Sequence, residues 1–248
     1  MGKPALIFAP GAWYPPTAFD PIIEKLRPHG YTCHTVAFPS VQQKPAVQDL
    51  QQDIKAVRSL VEAEADSGKD VIVVSHSWSG LPVNSALDGL SKASREKEGK
   101  AGGVVHLAFI SAFIPEIGQS LIGAFGGTPP DWYIRDETNG TVSARDPVHL
   151  FFHDVPDAEK WAESLRPHAW ATKNTPATSA AYLAIPSSYL LCEDDRAIPL
   201  FVQELMVEKA RSNGGHVVTD KVKTSHTPWL VVPDVVIEYL RRKAGEAL

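Results

Sequence analysis

The sequence predicts an α/β protein, a doubly wound and mostly parallel six-stranded sheet with a helical segment inserted into it. Three observations lead there. Six short apolar runs recur along the 248 residues, and most are separated by segments of helical periodicity, the crossovers that parallel strands require. Runs such as "ALIFA" and "VIVV" are apolar without alternation, as strands covered on both faces are. Between residues 115 and 185 the alternation stops in a stretch rich in proline, glycine and tryptophan, too long for an ordinary loop. The expected organisation is one domain, with a core of residues 1–114 and 186–248 and a lid of short helices over about 115–185.

Each element has its own signal. "PALIFA" ends at Pro10-Gly11 and makes the first strand; Phe19, Ile22, Ile23 and Leu26 then follow at helical spacing, with Gly30 as terminator. "YTCHTVAF" is the second strand. Val47, Leu50, Ile54, Val57 and Val61 form one stripe of a long helix over 46–65. "DVIVVS" is the third strand, followed by a helix over 81–90 and the polar "SKASREKEGK", expected as a solvated loop. "GGVVHLAFISAF" is the fourth. Past the insertion, "SSYLLC" and "HVVTDKV" are strands, and "PLFVQELMVEKARS" and "WLVVPDVVIEYLRRK" are helices.

Composition removes several classes of function. A net charge of −5 without a lysine/arginine run leaves no electrostatic footprint for nucleic acid. No apolar run approaches the ~18 residues of a membrane span, and the five apolar residues ahead of Pro10 are too few for a signal-peptide core. A cytoplasmic protein acting on a small molecule, as monomer or homodimer, is the expectation. Cys33 and Cys192 sit in separate strand-like runs and are expected as two free thiols. The histidines lack metal-ligand spacing, and neither "GGTPP" nor "AGGVV" carries the Lys-Ser/Thr of a phosphate loop, so neither metal nor cofactor is expected.

The chemistry is concentrated in "VIVVSHSWSG". An apolar strand runs into Ser77, and a helix begins directly after it. Such a turn presents a hydroxyl beyond the carboxyl end of a strand, where open parallel sheets bind ligands. It needs small residues two before and two after, and Ser75 and Ser79 provide them, with Gly80 next. A serine hydroxyl attacks only when a base takes its proton and a third group orients that base. After "SSYLLC" comes the acidic cluster Glu193-Asp194-Asp195, and "KTSHTPWL" places His226 just before the last helix. His216 opens a strand away from this end of the sheet and is set aside, and His76 is read as structural. The oxyanion formed on attack needs two N–H donors, for which the amides of Trp78 and Ala12 are the candidates.

These pieces resemble the α/β-hydrolase superfamily. They are similar in particular to the branch of plant methylesterases of the salicylate-binding type, hydroxynitrile lyases and their fungal relatives. "APGAW", "VIVVSHSWSG", "LAFISAFIP", "IPSSYLLCEDDRAIP" and "TSHTPWL" carry the likeness in order over nearly the whole chain. The resemblance implies a triad of Ser77, Asp195 and His226, because the branch places its acid four residues before the proline opening the next helix, here Pro199. It also exposes a departure: the first loop usually begins His-Gly, and here it is Pro10-Gly11. The aromatic residues of the insertion suggest an apolar pocket, with Trp13, Trp132 and Trp161 as lining candidates, suited to a small hydrophobic ester or lactone. A lyase or C–C bond-cleaving enzyme on the same scaffold, or a ligand-binding protein without turnover, are the alternatives. Lys223 precedes His226 by three residues, whereas the lyases carry a lysine near that histidine on its other side.

Overall fold

The structure, a computed structural model, describes residues 2–248. Its first strand, β1 (Ala5–Ala9), lies beside β2 (Cys33–Thr35) on one side and β3 (Asp70–Ser77) on the other; β4 (Gly103–Ala112) follows β3. The chain then leaves the sheet for the insertion, which holds β5 (Tyr133–Asp136), β6 (Thr141–Ala144) and β7 (His168–Ala169). It returns as β8 (Ser187–Cys192) and β9 (Val217–Val222), completing a six-stranded sheet of order β2-β1-β3-β4-β8-β9 with every neighbouring pair parallel.

Strand alternation divides the core in two. Leu6, Phe8, Ile72 and Val74 face the helices Asp20–Leu26 and Pro233–Lys243. Ile7, Val71 and Val73 face the other layer, where Val57 and Val61 of helix Gln51–Asp66 are wholly buried. Period-2 strands with both faces covered account for the unbroken apolar runs in the sequence. The order of strands reverses between β1 and β3, since the chain goes outward to β2 before returning. Ligands of open parallel sheets bind at such a reversal, beyond the strand carboxyl ends, and that is where the loop after β1 meets Ser77.

Four local expectations change. The long helix starts at Gln51, whose N–H is capped by the Asp49 carboxylate at 2.8 Å. The helix after Ser77 spans only Gly80–Ala86, and the chain turns at Gly89 with φ +73°. The polar stretch 91–100 contains a helix, Lys92–Lys97, capped by Ser91; its Arg95 is buried and donates to the Gly102 carbonyl and to Asp66. The last helix is two, Pro228–Val231 and Pro233–Lys243, divided where Pro233 has no N–H to continue the ladder.

The insertion departs most. Alongside the short helices Leu121–Ala124, Pro147–Phe151, Ala158–Ser164 and Ala171–Asn174 it has a three-stranded antiparallel sheet of β5, β6 and β7. The β5–β6 hairpin turns through Asn139-Gly140, with Gly140 at φ +64°. Short strands in which only Val142 of the hairpin is fully buried leave no apolar alternation to read.

Candidate active site

Ser77 ends β3 with φ 55°, a left-handed conformation that a residue with a side chain adopts only when its surroundings impose it. The surroundings are specific. The Ser77 carbonyl accepts the Phe113 N–H at 3.0 Å, drawing the elbow onto the end of β4. A Cβ on Gly80 would fall 1.8 Å from the Phe113 carbonyl oxygen, and one on Gly11 would fall 2.9 Å from Ser77 Cβ, so both positions require glycine for close approach. Ser75 and Ser79 add bonds of their own. Ser79 Oγ accepts the His76 N–H at 3.0 Å, and lies 3.0 Å from Ser75 Oγ and 2.9 Å from the Ala9 carbonyl, tying the end of β1 to the elbow.

His226 and Asp195 meet from two loops. The His226 Nδ1–H donates to Asp195 Oδ2 at 2.7 Å, and both side chains are buried. Asp195 Oδ1 accepts the N–H groups of Ala197 and Ile198 at 2.7 and 2.9 Å. A further donor is one the sequence did not single out: the Ser111 hydroxyl, from the end of β4, donates to Asp195 Oδ2 and lies 3.3 Å from His226 Nδ1. Ser111 is fully buried and, like Ser77, has positive φ, 39°. Four donors thus converge on Asp195, while Glu193 and Asp194 point to solvent. His76 lies behind the site, its Nε2–H donating to the His226 carbonyl at 3.0 Å and its ring 4.5 Å from the His226 ring. Burial, then the neighbouring His226, hold the His76 pKa well below the ordinary histidine value, so it stays neutral. His216 is exposed, just ahead of β9. Ser77 keeps 8 % exposure and makes no side-chain hydrogen bond among the described residues, to His226 or to any other group.

The loop after β1 faces the elbow. Neither the Ala12 nor the Trp78 N–H donates a hydrogen bond within the described protein, although both residues are almost wholly buried. Buried N–H groups are rarely left unpaired, and these two border the same small cavity as Ser77. Trp13, at φ 72°, is anchored by the insertion: its Nε1–H donates to the Val142 carbonyl at 2.8 Å, and its own carbonyl accepts the Arg166 N–H at 2.9 Å. The cavity measures about 20 Å³, and Trp13, Trp132, Tyr133 and Phe151 line its insertion side. Trp13 is 5.8 Å from Trp132 and 5.7 Å from Phe151, ring to ring. Trp161 does not line it. That residue is on helix Ala158–Ser164, which buries no residue fully and lies outside the aromatic layer.

Behind the loop is a second buried polar group. Lys173 is fully buried with no hydrogen-bond partner for its Nζ, which lies 4.7 Å from the Trp13 ring centre and 5.1 Å from that of Trp78. Asp53 and His168 share this region through Ser40, which donates its N–H to Asp53 at 3.0 Å and places Oγ 3.1 Å from His168 Nε2. Burial pushes the Asp53 pKa up to about 6 against the pull of Lys173, and holds that of Lys173 well below the usual lysine range. Among the described residues no three histidine, cysteine or acidic side chains are grouped to hold a metal ion, no helix is long and apolar enough to cross a membrane, and Cys33 and Cys192 are free.

The chain belongs to the α/β hydrolase family, which it matches over residues 6–238. It is 34 % identical to the α/β hydrolase nvfD of Aspergillus novofumigatus (strain IBT 16806), over all of this chain and 99 % of that one. Among solved structures it superposes on a pyrethroid hydrolase from Sphingobium faniae JZ-2 with a TM-score of 0.76 at 18 % identity, covering 98 % and 97 % of the two chains. It superposes on polyneuridine aldehyde esterase, of the plant methylesterase branch, with a TM-score of 0.75 at 16 % identity, covering 97 % and 98 %. At such identities the structural likeness concerns the fold.

Proposed function

We propose that the protein hydrolyses a small apolar carboxylic ester or lactone, with Ser77 as nucleophile, His226 as base and Asp195 as the group that orients it. The observation carrying this reading is the buried Asp195–His226 pair, 2.7 Å apart, together with a serine held at φ 55° on the strand–helix turn. In this reading His226 Nε2 takes the Ser77 proton as Oγ attacks the carbonyl carbon, while Nδ1–H stays on Asp195. The two unspent amides of Ala12 and Trp78 receive the developing oxyanion. The proton on His226 passes to the leaving alkoxide, and water, activated by the same imidazole, releases the acid. The gap between Ser77 and His226 is consistent with a resting site, since such bonds are often long before substrate binds. The aromatic lining of the cavity favours a hydrophobic substrate, and the insertion serves as its lid. An esterase and a pyrethroid hydrolase among the structural neighbours agree with ester cleavage.

Ser77→Ala should lower turnover of p-nitrophenyl butyrate by about 10³-fold or more with the fold intact by circular dichroism. Turnover near the wild-type rate would remove Ser77 as nucleophile.

A further inference from the structure

A cavity of about 20 Å³ holds little more than the reacting atoms of an ester, so the rest of any substrate must pass one of its walls. The wall beneath the oxyanion loop is fixed by the bonds of Trp13. Trp132 is packed 4.6 Å from Tyr133 and 5.9 Å from Phe151, and the depression beyond it is lined by charged Asp131, Arg145 and Asp146. The third wall is different. Phe113, Leu121 and Phe125 line the Ser77 cavity on one side and, on the other, a groove of about 210 Å³. Leu81, Val202, Leu205 and Met206 make that groove apolar, and a Glu116–Lys209 ion pair of 3.4 Å stands at its margin.

Phe125 is the part of this wall best able to move. It lies in "GAFGG", with Gly126 at φ +74° and Gly127 at φ +88°, and is only partly buried. Its one ring partner among the described residues is Phe113, edge-on at 5.6 Å. Glycines around a single poorly anchored ring allow a displacement that the interlocked Trp13, Trp132 and Phe151 do not.

We propose that the groove between residues 113–125 and helix Leu200–Ser212 is the binding site for the hydrocarbon arm of the ester, opened to Ser77 when the Phe125 ring swings aside. This rests on the hydrolase reading above and adds a substrate class to it: esters carrying an extended apolar arm, longer than the Ser77 cavity can hold. Such an arm lies on Leu81, Leu121, Val202 and Met206, where each buried methylene contributes to transition-state binding.

Two substrate pairs test it, p-nitrophenyl octanoate against acetate for the acyl side and octyl acetate against ethyl acetate for the alcohol side. Leu205 is 64 % exposed and does not border the Ser77 cavity, so Leu205→Arg should fold normally and leave the short esters unchanged. In one of the two pairs it should lower kcat/KM of the long substrate about tenfold or more. Met206→Trp, which fills the groove floor, should do the same. Selective loss of the long ester in either pair supports the groove; long and short substrates falling together, or neither changing, overturns it. Binding of p-nitrophenyl octanoate and of octyl acetate to Ser77→Ala, measured by calorimetry with and without Leu205→Arg, judges the groove independently of turnover. If the wild type cleaves no ester, the hydrolase reading fails, while weaker binding of either ligand to the double variant still upholds the groove and unchanged binding of both overturns it.

Discussion

The Ser77 cavity has two kinds of wall. On the sheet side, hydrogen bonds and tight backbone contacts hold the groups that surround Ser77: four donors on Asp195, the Ser79 hydroxyl clamped between strand ends, Gly80 against the Phe113 carbonyl. On the insertion side, aromatic rings lie 4.6 to 5.9 Å apart, and among the ring nitrogens and hydroxyls that line the cavity it is the Trp13 Nε1–H that is bonded, to the Val142 carbonyl. Hydrogen bonds fix the direction of individual polar atoms, whereas ring packing chiefly shapes the space left between the rings. The sheet wall is thus suited to aligning reacting groups, and the insertion wall to choosing what may approach them. Variants of the first should alter kcat, and variants of the second KM and substrate preference.

The sharpest test of the sheet wall is Asp195→Asn. It leaves the volume unchanged but weakens the hold on the His226 Nδ1–H, and kcat should fall by about 10⁴-fold, as expected when a triad base loses its correct tautomer. Asp194→Asn, one residue away and exposed, should stay within about twofold. The reverse ranking in steady-state kinetics would move the acid to Asp194.

A smaller loss is expected at Ser111→Ala. It removes one donor to Asp195 Oδ2 and leaves the other three, so kcat should drop about tenfold with KM unchanged. Equal changes in kcat and KM, or a change in KM alone, would make Ser111 a packing residue.

The smallest effect belongs to the buried polar group behind the Trp13 loop, Asp53 from the core and Lys173 from the insertion. The folded-state pKa of Asp53 is raised from 3.8 to about 6. The native state therefore holds this proton more tightly than the unfolded chain, and the associated stability is present below about pH 4 and lost as pH rises through about 6. Asp53→Asn should remove that slope, so the melting temperature of wild type relative to the variant should rise by a few degrees from pH 6.5 to 4. In Lys173→Met the Ser40 hydrogen bonds to Asp53 remain but the attraction of the lysine is gone, and the slope should move to higher pH. A pH-independent difference between wild type and Asp53→Asn would mean that Asp53 does not titrate there.

Legibility in the sequence follows the same division. The six strands and the positions of Ser77, His226 and the acidic cluster could be read because parallel strands buried on both faces leave unbroken apolar runs, and their carboxyl ends mark where functional loops begin. Ser111 escaped notice because a serine at a strand end has no pattern of its own; only the convergence of β4, β8 and the His226 loop gives it two partners. Lys173 lies in "ATKNTPAT", which reads as a surface turn, and its burial depends on Trp13 and Trp78, distant in sequence. The β5–β6 hairpin had a signal, Asn139-Gly140, but no apolar alternation around it. Aromatic character predicts Trp161 as a pocket residue but does not tell a lining ring from an outer one.

A Ser77 nucleophile activated by His226 and Asp195 should react with a fluorophosphonate, with the adduct located by mass spectrometry of the peptides. Stoichiometric modification of the peptide containing Ser77 is expected, slowed by about 10³-fold or more in Asp195→Asn and absent in Ser77→Ala. Labelling at another residue, or none under conditions where the wild type is folded, would contradict it.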